Sequence, residues 1–197
     1  MKSFFAILLV VFFAISANAQ SFKFGIHGGV DAATFRLSGT GGGQIKYKSG
    51  LTGGVGFEGV LGKVAGISIE ANYSRQGTGV SPDFSGASTG SFNLEYVTVP
   101  VLLQLYATPA LHFFAGPQVG FLLSAKSLST NQPNQDFKDM LESTDFYGVL
   151  GGTYEFANGI NIGARFNHGL TNIVKEPATT SFKNQYYSFR IGYKFSL

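Results

Sequence analysis

The sequence predicts an all-β protein, an eight-stranded antiparallel up-and-down transmembrane β-barrel. Three observations carry that expectation. Period-two alternation recurs along almost the whole chain, short and long connections take turns between the alternating segments, and the strand charges gather on one face of the alternation. Composition agrees with all three. Charged residues make up 13% of the 197 residues, while Gly (27) and Phe (20) are abundant. That is about half the charged share of an ordinary soluble domain, too little to solvate a whole surface.

The chain opens with Lys2, an apolar run from Phe4 to Ile15, and the small-residue site Ala17-Asn18-Ala19 before Gln20. A basic n-region, a short apolar core and a small-residue cleavage site make a secretory signal peptide, so residues 1–19 are expected to be removed. A spanning helix would need about 20 apolar residues, and no segment reaches that length. Losing Lys2 lowers the formal charge from +3 to +2, which gives no support to nucleic-acid binding. Without cysteine, neither disulfides nor thiolate metal sites are available.

From Gln20 onward, eight strands are expected in one barrel domain spanning residues 20–197: Phe22–Arg36, Lys48–Val60, Gly66–Gln76, Ser91–Tyr106, Leu111–Ser124, Asp145–Phe156, Gly159–Leu170 and Asn184–Leu197. The seventh alternates most cleanly, with Ile160, Ile162, Ala164 and Phe166 against Asn161, Gly163, Arg165 and Asn167. The eighth sets Tyr187, Phe189, Ile191, Tyr193 and Phe195 against Ser188, Arg190, Gly192, Lys194 and Ser196. The third sets Ile67, Ile69, Ala71 and Tyr73 against Ser68, Glu70, Asn72 and Ser74. In the fourth the alternation slips around Val97–Val101, and a β-bulge near Pro100 is expected to restore it.

Short links fall at Leu61–Ala65, Ala107–Ala110 and Ala157-Asn158-Gly159, the last an Asn-Gly hairpin signal. Long polar links fall at Leu37–Tyr47, Gly77–Gly90, Ala125–Thr144 and Thr171–Lys183. Tight periplasmic turns alternating with longer external loops are the pattern of membrane barrels, and they put both chain ends on the periplasmic side.

The polar face is expected to carry Lys23, His27, Asp31, Glu58, Glu70, Glu95, Asp145, Glu155, Arg165, Arg190 and Lys194. A charge on the lipid face costs about 2–4 kcal/mol at mid-membrane, so this face should point inward and the apolar face outward. An eight-stranded interior is just wide enough for side chains to fill it. Glu58, Glu70, Glu95 and Glu155 are therefore expected to pair with Arg165, Arg190 and Lys194 in a structural lumen network. Closure should also bring Lys23, His27 and Asp31 towards Arg190 and Lys194.

Three segments carry a resemblance. Leu94-Glu95-Tyr96-Val97-Thr98-Val99-Pro100, Ala115-Gly116-Pro117-Gln118-Val119-Gly120 and the run from Ala164 to Ile173 resemble the PorT-like porin-family outer-membrane β-barrel proteins of Bacteroidetes. The resemblance covers essentially the whole mature chain. It implies an eight-stranded barrel inserted by the outer-membrane assembly machinery and no single biochemical activity. The chain ends in Leu197, where such barrels typically end in an aromatic residue.

Motifs for chemistry are weak. Gly54-Val55-Gly56-Phe57-Glu58-Gly59 matches the dinucleotide fingerprint but lies within a strand with no helix after it. His27, His112 and His168 fall on three strands without metal-ligand spacing. His168 lacks a serine at matching spacing or an acid clearly on its face, and Asn72-Tyr73-Ser74 is a sequon inside a strand. No catalytic residue, cofactor or metal is expected, and the chain is not expected to be an enzyme. The loop segments Gly39–Gly43, Ser81-Pro82-Asp83 and Asn131–Asp139 name no ligand. The leading expectation is an outer-membrane protein with a charge-filled lumen. Its contacts would be outer-membrane lipid, the assembly machinery during insertion and a surface partner reached through the loops. A narrow channel for small solutes or ions is the alternative, ahead of a lipid-modifying enzyme and a soluble lipocalin-like carrier.

Overall fold

In a computed structural model, residues 21–38, 45–80, 90–129, 132–175 and 181–197 are described. The expected leader, Gly39–Gly43 and Ser81-Pro82-Asp83 lie outside them. The strands are β1 (Ser21–Ser38), β2 (Ile45–Leu61), β3 (Ala65–Val80), β4 (Gly90–Tyr106), β5 (Leu111–Ser129), β6 (Gln132–Asp136), β7 (Thr144–Glu155), β8 (Ile160–Gly169) and β9 (Ser181–Ser196). Eight of them form the wall, all antiparallel, in the order β4-β3-β2-β1-β9-β8-β7-β5, and the β4–β5 pairing closes the ring. The chain is thus a closed eight-stranded barrel. The first and last wall strands are zipped from Lys23↔Ser196 to Ser38↔Ser181. The short β6 pairs only with the outer end of β5, inside what the sequence presents as one long loop, and a 3₁₀ turn at Lys138–Met140 follows it.

The three tight turns form as the sequence chemistry dictates. Gly62 takes φ +78° and Gly159 φ +87°, a region that a side chain disfavours. A Cβ on Gly159 would also sit 2.7 Å from the Lys194 carbonyl oxygen. At the second turn the Thr108 hydroxyl accepts from the backbone N–H groups of Ala110 and Leu111. At the third the Asn158 side chain accepts from Ile160 N–H, an Asx-type turn closing the Asn-Gly hairpin.

The alternation resolves into an inside-out barrel. In β9, Phe189 is 57% exposed and Ile191 61%, whereas Ser188 and Arg190 between them are 0% and 8% exposed. The same division runs through β3 and β8, where Asn72, Ser74, Arg165 and Asn167 are buried and Tyr73 and Ile162 exposed. The outward side chains make an apolar belt whose periplasmic edge is aromatic, with Phe24 against Phe57 and Phe195, and Tyr193 against Phe195. Outward apolar groups face hydrocarbon, while closure leaves no wall-strand edge unpaired in a medium that offers no hydrogen bonds.

One strand corrects the sequence reading. The β3–β4 ladder keeps a single register from Ile69↔Val101 to Asn72↔Thr98, so no bulge lies at Pro100. The shift lies between Glu95 and Tyr96 on the β4–β5 ladder, where Leu123 is the extra residue of β5. The phase of β4 is therefore unbroken: Leu94, Tyr96, Thr98, Leu102 and Gln104 are buried in the lumen. Glu95 points the other way.

The walls are uneven in height. Strands β1 and β5 run 18 and 19 residues, while β7 and β8 run 12 and 10. A tilted membrane strand needs only about 9–11 residues to cross, so the taller strands project past the membrane on the external side.

Candidate functional site

The lumen is built in three layers. Nearest the periplasm, Lys194 Nζ donates to Glu58 Oε2 at 2.6 Å and lies 3.3 Å from Glu155 Oε2. Lys23 Nζ donates to Glu155 Oε1 at 2.5 Å, and Tyr106 donates its hydroxyl proton to Glu58 Oε1 at 2.8 Å. One step outward, Glu70 accepts both Nη1 and Nη2 of Arg165 at 3.0 Å, a bidentate pair. It also accepts Arg190 Nη1 at 3.2 Å and Asn72 Nδ2 at 3.1 Å. His27 donates Nε2–H to Asn72 Oδ1 at 2.7 Å. The Arg165 guanidinium also stands 5.0 Å from the centre of the Phe114 ring. Between these layers lies a cavity of about 70 Å³, bordered by Lys23, His27, Glu58, Glu70, Arg190 and Lys194 among others. That is room for a few waters.

The structure thus brings Glu58, Glu70, Glu155, Arg165, Arg190 and Lys194 together, from β2, β3, β7, β8 and β9. Lys23 meets Lys194 through their shared partner Glu155, and His27 meets Arg190 at 3.1 Å. Asp31 lies near enough to Arg190 for their charges to interact, while its hydrogen bond comes from Ser74 Oγ at 2.5 Å. Glu95 does not belong to the network. It sits on the outer face opposite Arg75, whose Nη2 donates to it at 3.1 Å in an exposed pair. Reading Glu95 as inward requires a break in β4 that the ladder does not contain.

The middle layer is one that the charge pattern alone does not reveal. Tyr96, Tyr147 and Tyr186 converge fully buried at the centre of the outer half. The Asn184 amide donates to Asp145 Oδ2 at 2.8 Å and to the Tyr147 hydroxyl at 3.1 Å, and the Gln118 amide donates to the Tyr186 hydroxyl at 2.8 Å. Tyr147 in turn donates to Gln76 Oε1 at 3.2 Å. The Thr171 hydroxyl bonds Asp145 from the loop above. The available signal was the phase of β4, in which Leu94 and Tyr96 share parity with Thr98 and Gln104.

The third layer closes the mouth. Leu94, Tyr96, Leu122 and Ala125 from the tall wall form a buried apolar cluster with Leu141 and Ile173 from the loops over the short wall. Phe35, Phe137, Val174 and Phe182 pack against it. The two loops are tied by backbone hydrogen bonds: Glu142 N–H donates to Ile173 O at 2.8 Å and Lys175 N–H to Met140 O at 3.1 Å. Ile173 N–H donates to Phe182 O at 2.9 Å, joining them to β9.

Among the described residues no group of three or more His, Asp or Glu side chains is arranged to hold a metal. His168 points outward, and its ring accepts from Arg36 Nη1 at 2.8 Å. A guanidinium is not the carboxylate that orients a catalytic histidine.

Comparisons with known proteins agree with this architecture. Residues 18–175 match the model for the family described as outer membrane protein beta-barrel domain, and the chain belongs to that family. Its fold is similar to the crystal structure of Ail, the attachment invasion locus protein of Yersinia pestis. That likeness has a TM-score of 0.52 at 16% identity, covering 88% of this chain and 98% of that one. It is also similar to Neisserial surface protein A, with a TM-score of 0.51 at 12% identity over 88% of this chain and 97% of the other. A search of curated proteins gave no match. The chain is a bacterial outer-membrane β-barrel.

Proposed function

We propose that this protein is a PorT-like outer-membrane barrel that serves as a plugged scaffold, presenting its external loops to a surface partner and conducting nothing through its lumen. The observation that carries the reading is the continuity of the filling. Charge pairs, then a tyrosine–amide layer, then an apolar cap succeed one another from the periplasmic end to the mouth. The charge pairs, the tyrosine–amide bonds and the apolar cap each form within their own layer, and opening any of them would leave desolvated charges or apolar groups without partners. The described parts of the loops over the short wall are tied to one another and to β9 by backbone hydrogen bonds, as a display surface needs. The bond from Arg36 to His168 supports a non-enzymatic reading, since that histidine has a cation where a hydrolase needs an acid.

Single-channel recording tests this. Refolded barrel in planar bilayers is expected to be electrically silent, with the mobility difference between heated and unheated samples on gels verifying the fold. Discrete, stable openings would overturn the scaffold reading in favour of a narrow channel. The cavity beside Arg190 and Lys194 would then be its selectivity region.

Export is part of the same proposal. N-terminal sequencing of protein recovered from outer membranes is expected to begin at Gln20, and a start at Met1 would refute cleavage of the leader.

A further inference from the structure

The outer face of the barrel differs at its two rims. Near the periplasm the outward groups are aromatic or aliphatic, including Phe57, Phe113, Tyr154 and Phe195. At the external rim, on the neighbouring strands β1, β9 and β8, stand Arg36, Lys183 and His168. Arg36 and Lys183 are directly opposed across the β1–β9 ladder. Like charges facing each other across a ladder repel, and the repulsion disfavours the pair unless an anion lies between them. Among the described residues neither makes an ion pair with a carboxylate, in contrast to Arg75, which has Glu95. The adjoining β1–β2 loop, residues 39–44, contains no acidic residue in its sequence, and the β8–β9 link carries one, Glu176, outside the described residues. His168, bonded to Arg36, extends the polar patch onto β8.

Directly below the patch lies an aromatic platform. Phe166 and Tyr187 have ring centres 5.0 Å apart, Tyr47 packs on Tyr187 at 6.2 Å, and His168 on Phe166 at 5.8 Å. Lys183 is four residues beyond Tyr187, which at ~3.3 Å per residue and a tilt of ~40° raises it about 10 Å above the aromatic level. With the rings at the membrane interface, that height puts the basic groups at the outer, water-facing side of the headgroup layer.

We infer that Arg36 and Lys183, with His168, form a binding site for the phosphate of an outer-leaflet phosphorylated glycolipid, whose acyl chains would lie on the Phe166–Tyr187 platform. The site is on the lipid-facing wall, separate from the lumen and from the loops that the scaffold reading uses. An opposed pair of cations is relieved by a dianionic phosphate, and the planar Arg36 fork suits two of its oxygens. Its place at one rim only matches a lipid confined to one leaflet.

The probe is diphosphoryl lipid A, titrated into detergent-solubilised, folded barrel and followed by native mass spectrometry. Wild type is expected to retain lipid A and to bind the enzymatically dephosphorylated lipid much more weakly. The R36Q/K183Q variant should bind lipid A about 30-fold more weakly, roughly a fivefold factor for each basic residue near anionic lipid. Substituting Lys63, exposed in a periplasmic turn, should leave binding unchanged. Wild-type affinity should also fall as ionic strength rises, an arm that needs no variant. Equal binding of the dephosphorylated lipid, or affinity insensitive to both salt and R36Q/K183Q, would overturn the assignment and place the affinity in the acyl chains.

Discussion

Replacing Glu70 with alanine is expected to cost the barrel about 3–5 kcal/mol, the penalty of removing one partner from a buried ion pair. Glu70 is the hinge of the arginine cluster in the charge layer. It takes both Arg165 nitrogens and Arg190 Nη1, and neither guanidinium has another carboxylate at salt-bridge distance among the described residues. Deleting it strands two buried cations side by side. Their mutual repulsion adds to the lost attraction, and the small cavity beside them supplies only a few waters for solvation. Arginine 165 should be the milder loss, because Glu70 would keep Arg190. The exposed Arg75–Glu95 pair sets the lower limit, at about 0–1 kcal/mol for removal of either partner. Urea unfolding of barrels refolded into vesicles gives the comparison. The chain has no tryptophan, so the transition should be followed by far-UV circular dichroism and gel mobility. A Glu70→Ala barrel as stable as Arg75→Ala would mean that water reaches the guanidinium pair freely, and the plugged-lumen reading would fall with it. The triple change to leucine at Glu70 and methionine at Arg165 and Arg190 should be far less costly than Glu70→Ala alone. Apolar groups of similar volume leave no charge behind.

Much of this architecture is legible in the sequence, and the reason is physical. A closed barrel in lipid has two solvents, hydrocarbon outside and a polar interior, and each strand must answer to both at alternate positions. Arg165, Arg190 and Lys194 can be placed because each falls in the polar phase of a strand whose other phase is apolar on either side of it. The hairpin at Asn158-Gly159 is legible because a glycine that can take positive φ, here +87° at Gly159, lets so short a turn close. Glu95 was misplaced because charge is a poor guide near the external rim, where the wall has left the hydrocarbon and an outward pair is tolerated. The tyrosine layer was missed for the converse reason. Tyr186 and Tyr187 are chemically identical neighbours, yet one is fully buried and the other 41% exposed. Composition cannot distinguish them; the phase of β9 can, since Tyr186 shares parity with Ser188 and Arg190, but phase alone does not say that three tyrosines from different strands meet. The cap was out of reach because it joins Leu141 and Ile173 across two loops whose pairing has no periodic signature.

Arginine at Leu150 should cost about 2–4 kcal/mol, whereas a lysine in place of its lumen-facing neighbour Thr153 should cost distinctly less. Leu150 is 62% exposed midway along β7, flanked across the ladders by Ala115 and Phe166. If its environment is hydrocarbon, a guanidinium there must pull water or headgroups inward, and the penalty depends on depth. The same change at Phe146, four residues nearer the external rim on the same outward face, should therefore cost only ~0–1 kcal/mol. Thr153 points into the lumen beside the cavity that Glu58 and Glu70 border, where a new cation meets carboxylates instead of acyl chains. The depth gradient is what separates a membrane wall from a soluble barrel that happens to expose apolar groups. On a water-exposed wall Leu150→Arg would be neutral or stabilising, and Leu150 and Phe146 would respond alike. Paired unfolding curves for the two arginine variants in vesicles therefore decide between the environments. A difference of about 2 kcal/mol places Leu150 in the hydrocarbon core, and equality would move the belt out of the membrane altogether.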